Sequence, residues 1–188
     1  LFLSKEYKRI VIYSEGINYR YYFLDFIKIL TKNHNKKIIY VSSEREDFIK
    51  DENVKNIYIG KGFLRTIFFA TLNCKYLILT LTDLGNSYLK KSKFCNKYIY
   101  IFHSAISTHV GYKKNAFWNY DVILCNGDYQ YKEIRDTEDK YNLNKKILVK
   151  AGYMYFDYLK SKNIKKRNEK TNFIMLASTW VNQKNNLF

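Results

Sequence analysis

The sequence predicts an α/β domain of Rossmann-like type, three layers deep, built on a mostly parallel sheet. Three observations predict it. Short runs rich in Ile, Val, Leu and Tyr recur along the chain, segments with helical periodicity separate them, and small polar residues gather just after the runs. With 188 residues, 47% hydrophobic and 18% aromatic, the chain can bury one substantial core and is not a disordered polymer.

Candidate strands are 9–13, 37–41, 56–59, 76–80, 98–102, 121–125 and 147–150. Between the first two, Tyr22, Phe23, Phe26, Ile27 and Leu30 repeat at helical spacing. Phe63, Leu64, Ile67, Phe68, Thr71 and Leu72 do so more regularly, and both stripes read as faces packed on the sheet. Ser43 with Glu46 has the spacing of a capping box opening a short helix. Asp128 is placed to cap a helix running towards Lys140. Residues 1–160 then form one domain, and the charged stretch 161–172 reads as a linker. A fresh strand at 173–178 opens a further domain, of which 173–188 would be the truncated start.

The three cysteines, Cys74, Cys95 and Cys125, show no CxxC spacing, so neither a disulfide framework nor a zinc site is expected and a reducing cytoplasm is favoured. No apolar run approaches the roughly 20 residues of a spanning helix. Thirty-three basic against 17 acidic residues give a formal charge of +16, a field that attracts anionic lipid surfaces or phosphate-rich substrates. The lysines are spread along the chain, so the excess also fits a solvated surface.

Five strand-to-helix turns concentrate small polar groups. They hold Ser14, Glu15 and Gly16; Thr82 and Asp83; His103 and Ser104; Asn126, Gly127 and Asp128; and Gly152 and Tyr153. In a parallel sheet all five crowd one rim, where helix N-termini offer N–H groups to anions. Turn chemistry alone also favours such residues, so the weight lies in their convergence. No GxGxxG, P-loop or GxSxG pattern is present, and no His, Asp and Glu cluster has metal-ligand spacing; no metal and no cofactor is expected.

His103 is the reactive candidate. It ends the apolar run 98–102, titrates near neutral pH, and can take a proton from an attacking hydroxyl. Glu15, Asp83 and Asp128 are possible acidic partners, and a hydrogen-bonded structural histidine is the competing reading. His109 reads as a residue of the surface or of the layer behind the site, and His34 as a solvated helix-end residue.

The order of "YIYIFHSAIST", "YDVILCNGDYQYKEI", "ILVKAGYMYFDYL" and "FIMLASTW" resembles the CDP-glycerol glycerophosphotransferase family, which includes the teichoic acid polymerases. Phe102-His103-Ser104-Ala105 stands where the family has Trp-His-Gly-Thr, and Cys125-Asn126-Gly127-Asp128 matches its Ser/Asn-containing turn. Gly152 to Asp157 matches a Gly-x-Pro-Arg-x-Asp element without its Pro-Arg pair, and Ala177-Ser178-Thr179-Trp180 matches Ala-Pro-Thr-Trp without its proline. The resemblance spans about 98–180. It implies the N-terminal, acceptor-side half of a GT-B fold, with His103 as general base. It also implies a CDP-activated donor held mainly by the second domain, a lipid-linked acceptor, and work at an anionic membrane surface, peripheral to the inner face of the cytoplasmic membrane. The chain alone is then expected to be inactive. Alternatives are a GT-B glycosyltransferase using a nucleotide sugar, or a non-catalytic domain binding a polyanion. Nucleic acid is not expected, because the 19 tyrosines fall at helix and strand spacings that point mostly inward.

Overall fold

The computed structural model describes residues 9–86 and 89–162. All seven expected strands form: β1 Ile10–Ser14, β2 Ile38–Ser42, β3 Val54–Tyr58, β4 Cys74–Leu79, β5 Cys95–Ile101, β6 Val122–Cys125 and β7 Ile147–Lys150. They make one seven-stranded sheet in the order β3-β2-β1-β4-β5-β6-β7, with every pair parallel. The domain is therefore a Rossmann-like α/β sandwich, as the alternation of runs and helices predicts.

Parallel strands covered on both faces read as continuous apolar runs. Successive residues of the inner strands enter opposite cores. Val11, Tyr13, Leu77, Leu79, Tyr98, Tyr100 and Ile123 pack in one, while Ile12, Ile38, Tyr40, Ile78, Ile101 and Leu124 pack in the other. The second core is closed by Phe23 and Ile27, from a segment that passes from a 3-10 turn at Arg20–Tyr22 into α1 (Leu24–Lys28) and a π turn (Ile29–Asn33). The first is closed by α2 (Phe63–Thr71), by Phe117 and Tyr120, and by Ile134 of α4 (Asp128–Lys140). Two short helices, α3 (Thr108–Gly111) and α5 (Tyr155–Ser161), complete the described domain. The expected linker and the strand at 173–178 lie outside the described residues, apart from Ser161 and Lys162.

Three local expectations fail for identifiable reasons. The stripe of α2 is a core face only at its C-terminal end: Phe63 and Leu64 are 76% and 67% exposed, and the buried ring is Phe69, outside the predicted stripe and set edge-on to Tyr13 at 4.8 Å. Only the last turn of this nine-residue helix overlies the sheet, where Phe68 and Leu72 join the core. The Ser43–Glu46 capping box does not form. The Ser43 hydroxyl is bonded to Tyr13 Oη at 2.7 Å, and residues 43–46 are bends and turns. Asp128 is not the cap of α4. Gly127 takes that position, and the Asp128 carboxylate pairs with Lys150 Nζ at 2.6 Å from within the first turn, where negative charge still suits the helix dipole.

Two buried arrangements tie the strands further. Glu138, near the end of α4, accepts from Arg135 Nη1 at 2.5 Å and from the Lys146 backbone N–H at 2.8 Å, while Arg135 Nη2 donates to the Lys146 carbonyl. That clamp fixes α4 to the entry of β7. Cys74 and Cys95 are register partners on β4 and β5, with Sγ atoms 3.4 Å apart.

Candidate active site

The chain reverses direction across the sheet between β1 and β4, the switch point where open α/β sheets leave a crevice beyond the strand ends. Ser14, expected at the site, is fully buried, and its hydroxyl is spent on the backbone of Gly16, donating to the carbonyl at 3.0 Å and accepting from the N–H at 3.3 Å. Gly16 has φ +156°, and a Cβ there would lie 2.4 Å from the carboxylate of Glu44, so only glycine lets the turn pass this close. Glu44 accepts from the Ile17 N–H at 3.0 Å and pairs with Lys61 Nζ at 3.1 Å. Glu15 faces the β4 end, accepting from Thr80 Oγ1 at 3.5 Å; burial pushes its carboxyl pKa up, against the pull of Thr80, Arg65 and Lys61. A cavity of about 280 Å³ opens here, lined by Glu15, Gly16, Asn18, Tyr19, Glu44 and Arg65 among others.

His103 follows β5 on the same rim as Ser14 and Asn126, as expected. Its surroundings are aromatic instead of acidic. Tyr19, Tyr22 and Tyr112 stand edge-on to the imidazole, with centroids at 5.6, 6.2 and 6.5 Å. Nδ1 is buried without a hydrogen-bond partner. Burial pushes the imidazole pKa below its ordinary value, with the Thr80 backbone opposing. A neutral imidazole with a free lone pair is the form a proton acceptor needs. None of the three acids expected to orient it does so. Asp128 is committed to Lys150, Glu15 to Thr80, and Asp83, held at φ +60°, lies 3.5 Å from the Thr82 hydroxyl. Thr82 and Asp83 line a separate cavity of about 320 Å³ with Asn86 and Lys113.

The loop after His103 is held by α4. Asn126 Nδ2 donates to the Ser104 carbonyl at 3.1 Å, and Gln130 receives the Asn126 N–H while donating to the Ile106 carbonyl. Glu133 Oε2 accepts both the N–H and the hydroxyl of Thr108, at 2.6 and 2.7 Å. His109, a surface residue as expected, donates from Nε2 to the Glu133 carbonyl at 3.0 Å. Gly127 serves as the cap of α4, and Gly152, at φ +77°, turns the chain after β7 so that Tyr153 Oη donates to the His103 carbonyl at 3.1 Å. The rim thus gathers Glu15, His103, Ser104, Asn126 and Tyr153, leaving Asp83 and Asp128 to other partners. Gln130 and Glu133 were missed by the sequence reading, although 126, 130, 133 and 137 carry polar groups at helical spacing. The tyrosines around His103 were missed as well.

No family model matches the chain, and no curated protein matches its sequence. Solved structures do match its fold. The wall teichoic acid polymerase TagF superposes with a TM-score of 0.52 at 10% identity, over 81% of this chain and 40% of that one. A histidine-to-asparagine form of TagF soaked with CDPG gives the same TM-score and identity over 42% of its length. The chain spans less than half the length of these neighbours. What it shares with them is the Rossmann-like fold.

Proposed function

We propose that this chain is the acceptor-side domain of a transferase of cell-surface polymer assembly, which moves glycerol phosphate or a related group from a CDP-activated donor to a membrane-linked acceptor. The observation that carries the reading is His103: a half-buried imidazole whose Nδ1 is buried without a hydrogen-bond partner and whose pKa burial lowers, on the switch-point rim of a fold shared with TagF. An acceptor hydroxyl brought against it attacks the β-phosphorus of the donor. The new P–O bond forms as the bond to the CMP phosphate breaks, CMP leaves, and the hydroxyl proton passes to His103. In this reading the donor is held mainly by a second domain of which 173–188 would be only the start, so residues 1–188 alone are inactive. The charge of +16, with Phe63, Leu64 and Ile67 exposed on α2, supports attachment to an anionic leaflet at the inner face of the membrane.

The test is transfer by the full-length protein from radiolabelled CDP-glycerol to a lipid-linked acceptor in anionic vesicles. CMP release that requires both acceptor and His103 supports the proposal. Release of nucleotide from a nucleotide sugar, with CDP-glycerol inert, shows a glycosyltransferase instead. Binding of polyanions with no turnover shows a binding domain.

A further inference from the structure

A further cavity lies behind the loop that follows His103, between residues 108–118 and the C-terminal half of α4. It holds about 380 Å³, and nothing in the transferase reading uses it. Its floor is apolar: Phe117 and Ile134 are buried, and Leu143 is half-buried. Two rings from segments far apart in sequence, Trp118 and Tyr141, line it as well. Their centroids are 5.8 Å apart and their planes cross at 48°, so the pair forms a wedge. At 39% and 37% exposure, each ring keeps more than a third of its surface in water.

The polar groups of the lining divide into committed and free. The hydroxyls of Thr108 and Thr137 donate to Glu133, His109 Nε2 donates to the Glu133 carbonyl, and Glu138 and Lys146 belong to the clamp on β7. Asp136, Lys113, Lys114 and Lys140 remain. Among the described residues, none of these four has an ion-pair or side-chain hydrogen-bond partner. Lys114 Nζ and Lys140 Nζ lie 5.7 and 5.5 Å from the centre of the Tyr141 ring, so positive charge flanks the wedge. An exposed cation–π contact is weak beside a charge-assisted bond, which leaves both ammonium groups available to an anion.

These features select the ligand. A flat ring stacks on Trp118 or Tyr141, an anionic group joined to it meets the lysines, and a donor on its edge meets the Asp136 carboxylate. An acyl chain would fill the apolar floor but would desolvate Asp136 and offer it nothing, which is costly. A polymer is too large, since small-molecule sites begin at about 300 Å³. We propose that this cavity binds a nucleoside monophosphate, with its base on Trp118 and Tyr141, an exocyclic amine at Asp136 and its phosphate between Lys114 and Lys140. The site stands whether or not the chain is a transferase.

The test is a titration of the full-length protein with AMP, followed by the indole ¹⁵N–¹H signal of Trp118, which Trp118→Leu identifies by its loss. AMP is the probe because the transferase reading already gives cytidine nucleotides another place. A saturable shift is expected, whereas inorganic phosphate and dodecyl phosphate at equal concentration should leave the signal in place. By calorimetry, Trp118→Leu should weaken AMP binding about five- to tenfold, the low end for base–aromatic stacking, because the rings are partly solvated. Lys114→Gln with Lys140→Gln should weaken it roughly three- to tenfold. A signal that AMP does not move refutes the site. An equal shift by inorganic phosphate reduces it to a bare anion site, and a shift by dodecyl phosphate alone makes it a lipid pocket; either overturns the proposal. Should Trp118→Leu fail to fold, photolabelling of the wild type by 8-azido-AMP decides. Label on 113–118 or 140–143 supports the site, and label confined elsewhere refutes it.

Discussion

Replacing His103 with alanine separates a catalytic from a structural histidine, because the structure assigns the two roles very different magnitudes. Nδ1 has no partner, so truncation strands no buried donor or acceptor there. What is lost is the hydrogen bond with the Thr80 backbone and edge contact with Tyr19, Tyr22 and Tyr112, half-buried rings that can close over a small void. Together these are worth about 1–3 kcal/mol. Against a domain stability of roughly 5–15 kcal/mol, that leaves the protein almost wholly folded. Loss of a general base lowers turnover about 10²–10⁴-fold, or ~2.7–5.4 kcal/mol in barrier height. Urea unfolding and acceptor-dependent CMP release, measured on one preparation of the full-length variant, therefore give a small stability loss beside a large rate loss. The pH dependence adds a second readout. Because the folded pKa lies below the ordinary 6.5, the unfolded chain takes up the proton first on acidification. The His103 contribution to stability is thus complete above pH 6.5 and is lost as pH falls towards the folded value. The base is active over the same range, so kcat/KM rises through that lower pKa and is level by neutrality. An alanine variant within twofold of wild-type turnover refutes the catalytic role. A variant whose activity falls only in step with its folded fraction refutes it too.

Two further outcomes follow from the buried arrangements. Glu138→Ala leaves Arg135 and Lys146 facing a side chain without charge, and should cost about 3–5 kcal/mol in urea unfolding, whereas Glu138→Leu combined with Arg135→Met and Lys146→Met, which removes all three charges, should recover most of it; equal losses in both would refute the clamp. Treatment with diamide should join Cys74 to Cys95, two thiols giving up two protons and two electrons to the azo group. Cys125, whose thiol burial pushes up to about 11, should stay free, and a peptide map showing Cys125 in the crosslink would overturn this.

The strands were legible because a sheet buried on both faces admits little but Ile, Val, Leu and Tyr in its inner strands. The rim followed from them, since a parallel sheet puts every strand end on one side. Legibility ended where a side chain had to choose a partner. Periodicity marked a face on α2 without telling whether Phe63 and Leu64 met the sheet or the solvent. Asp128 had the right residue type for a cap, but Gly127 already held that position and Lys150 lay within reach. Three acids were near His103 in the pattern of turns, and each had a nearer partner. The contact of Tyr21 and Tyr22 with Tyr153, Tyr155 and Tyr158 was hidden for a different reason: the rings come from 21–22 and 153–158, and only the folded sheet brings those segments together.

The bonds from Asn126, Gln130 and Glu133 to residues 104–108 have a consequence for engineering. They make the loop after His103 and the segment 126–133, the turn into α4 with the helix's first half, a single cassette, since three side chains of one read the backbone of the other. Grafting a related loop alone would import carbonyls and N–H groups with no one to meet them. A chimaera intended to change the accepted substrate should therefore exchange 103–137 as a block, with its borders just after β5 and in the last turn of α4.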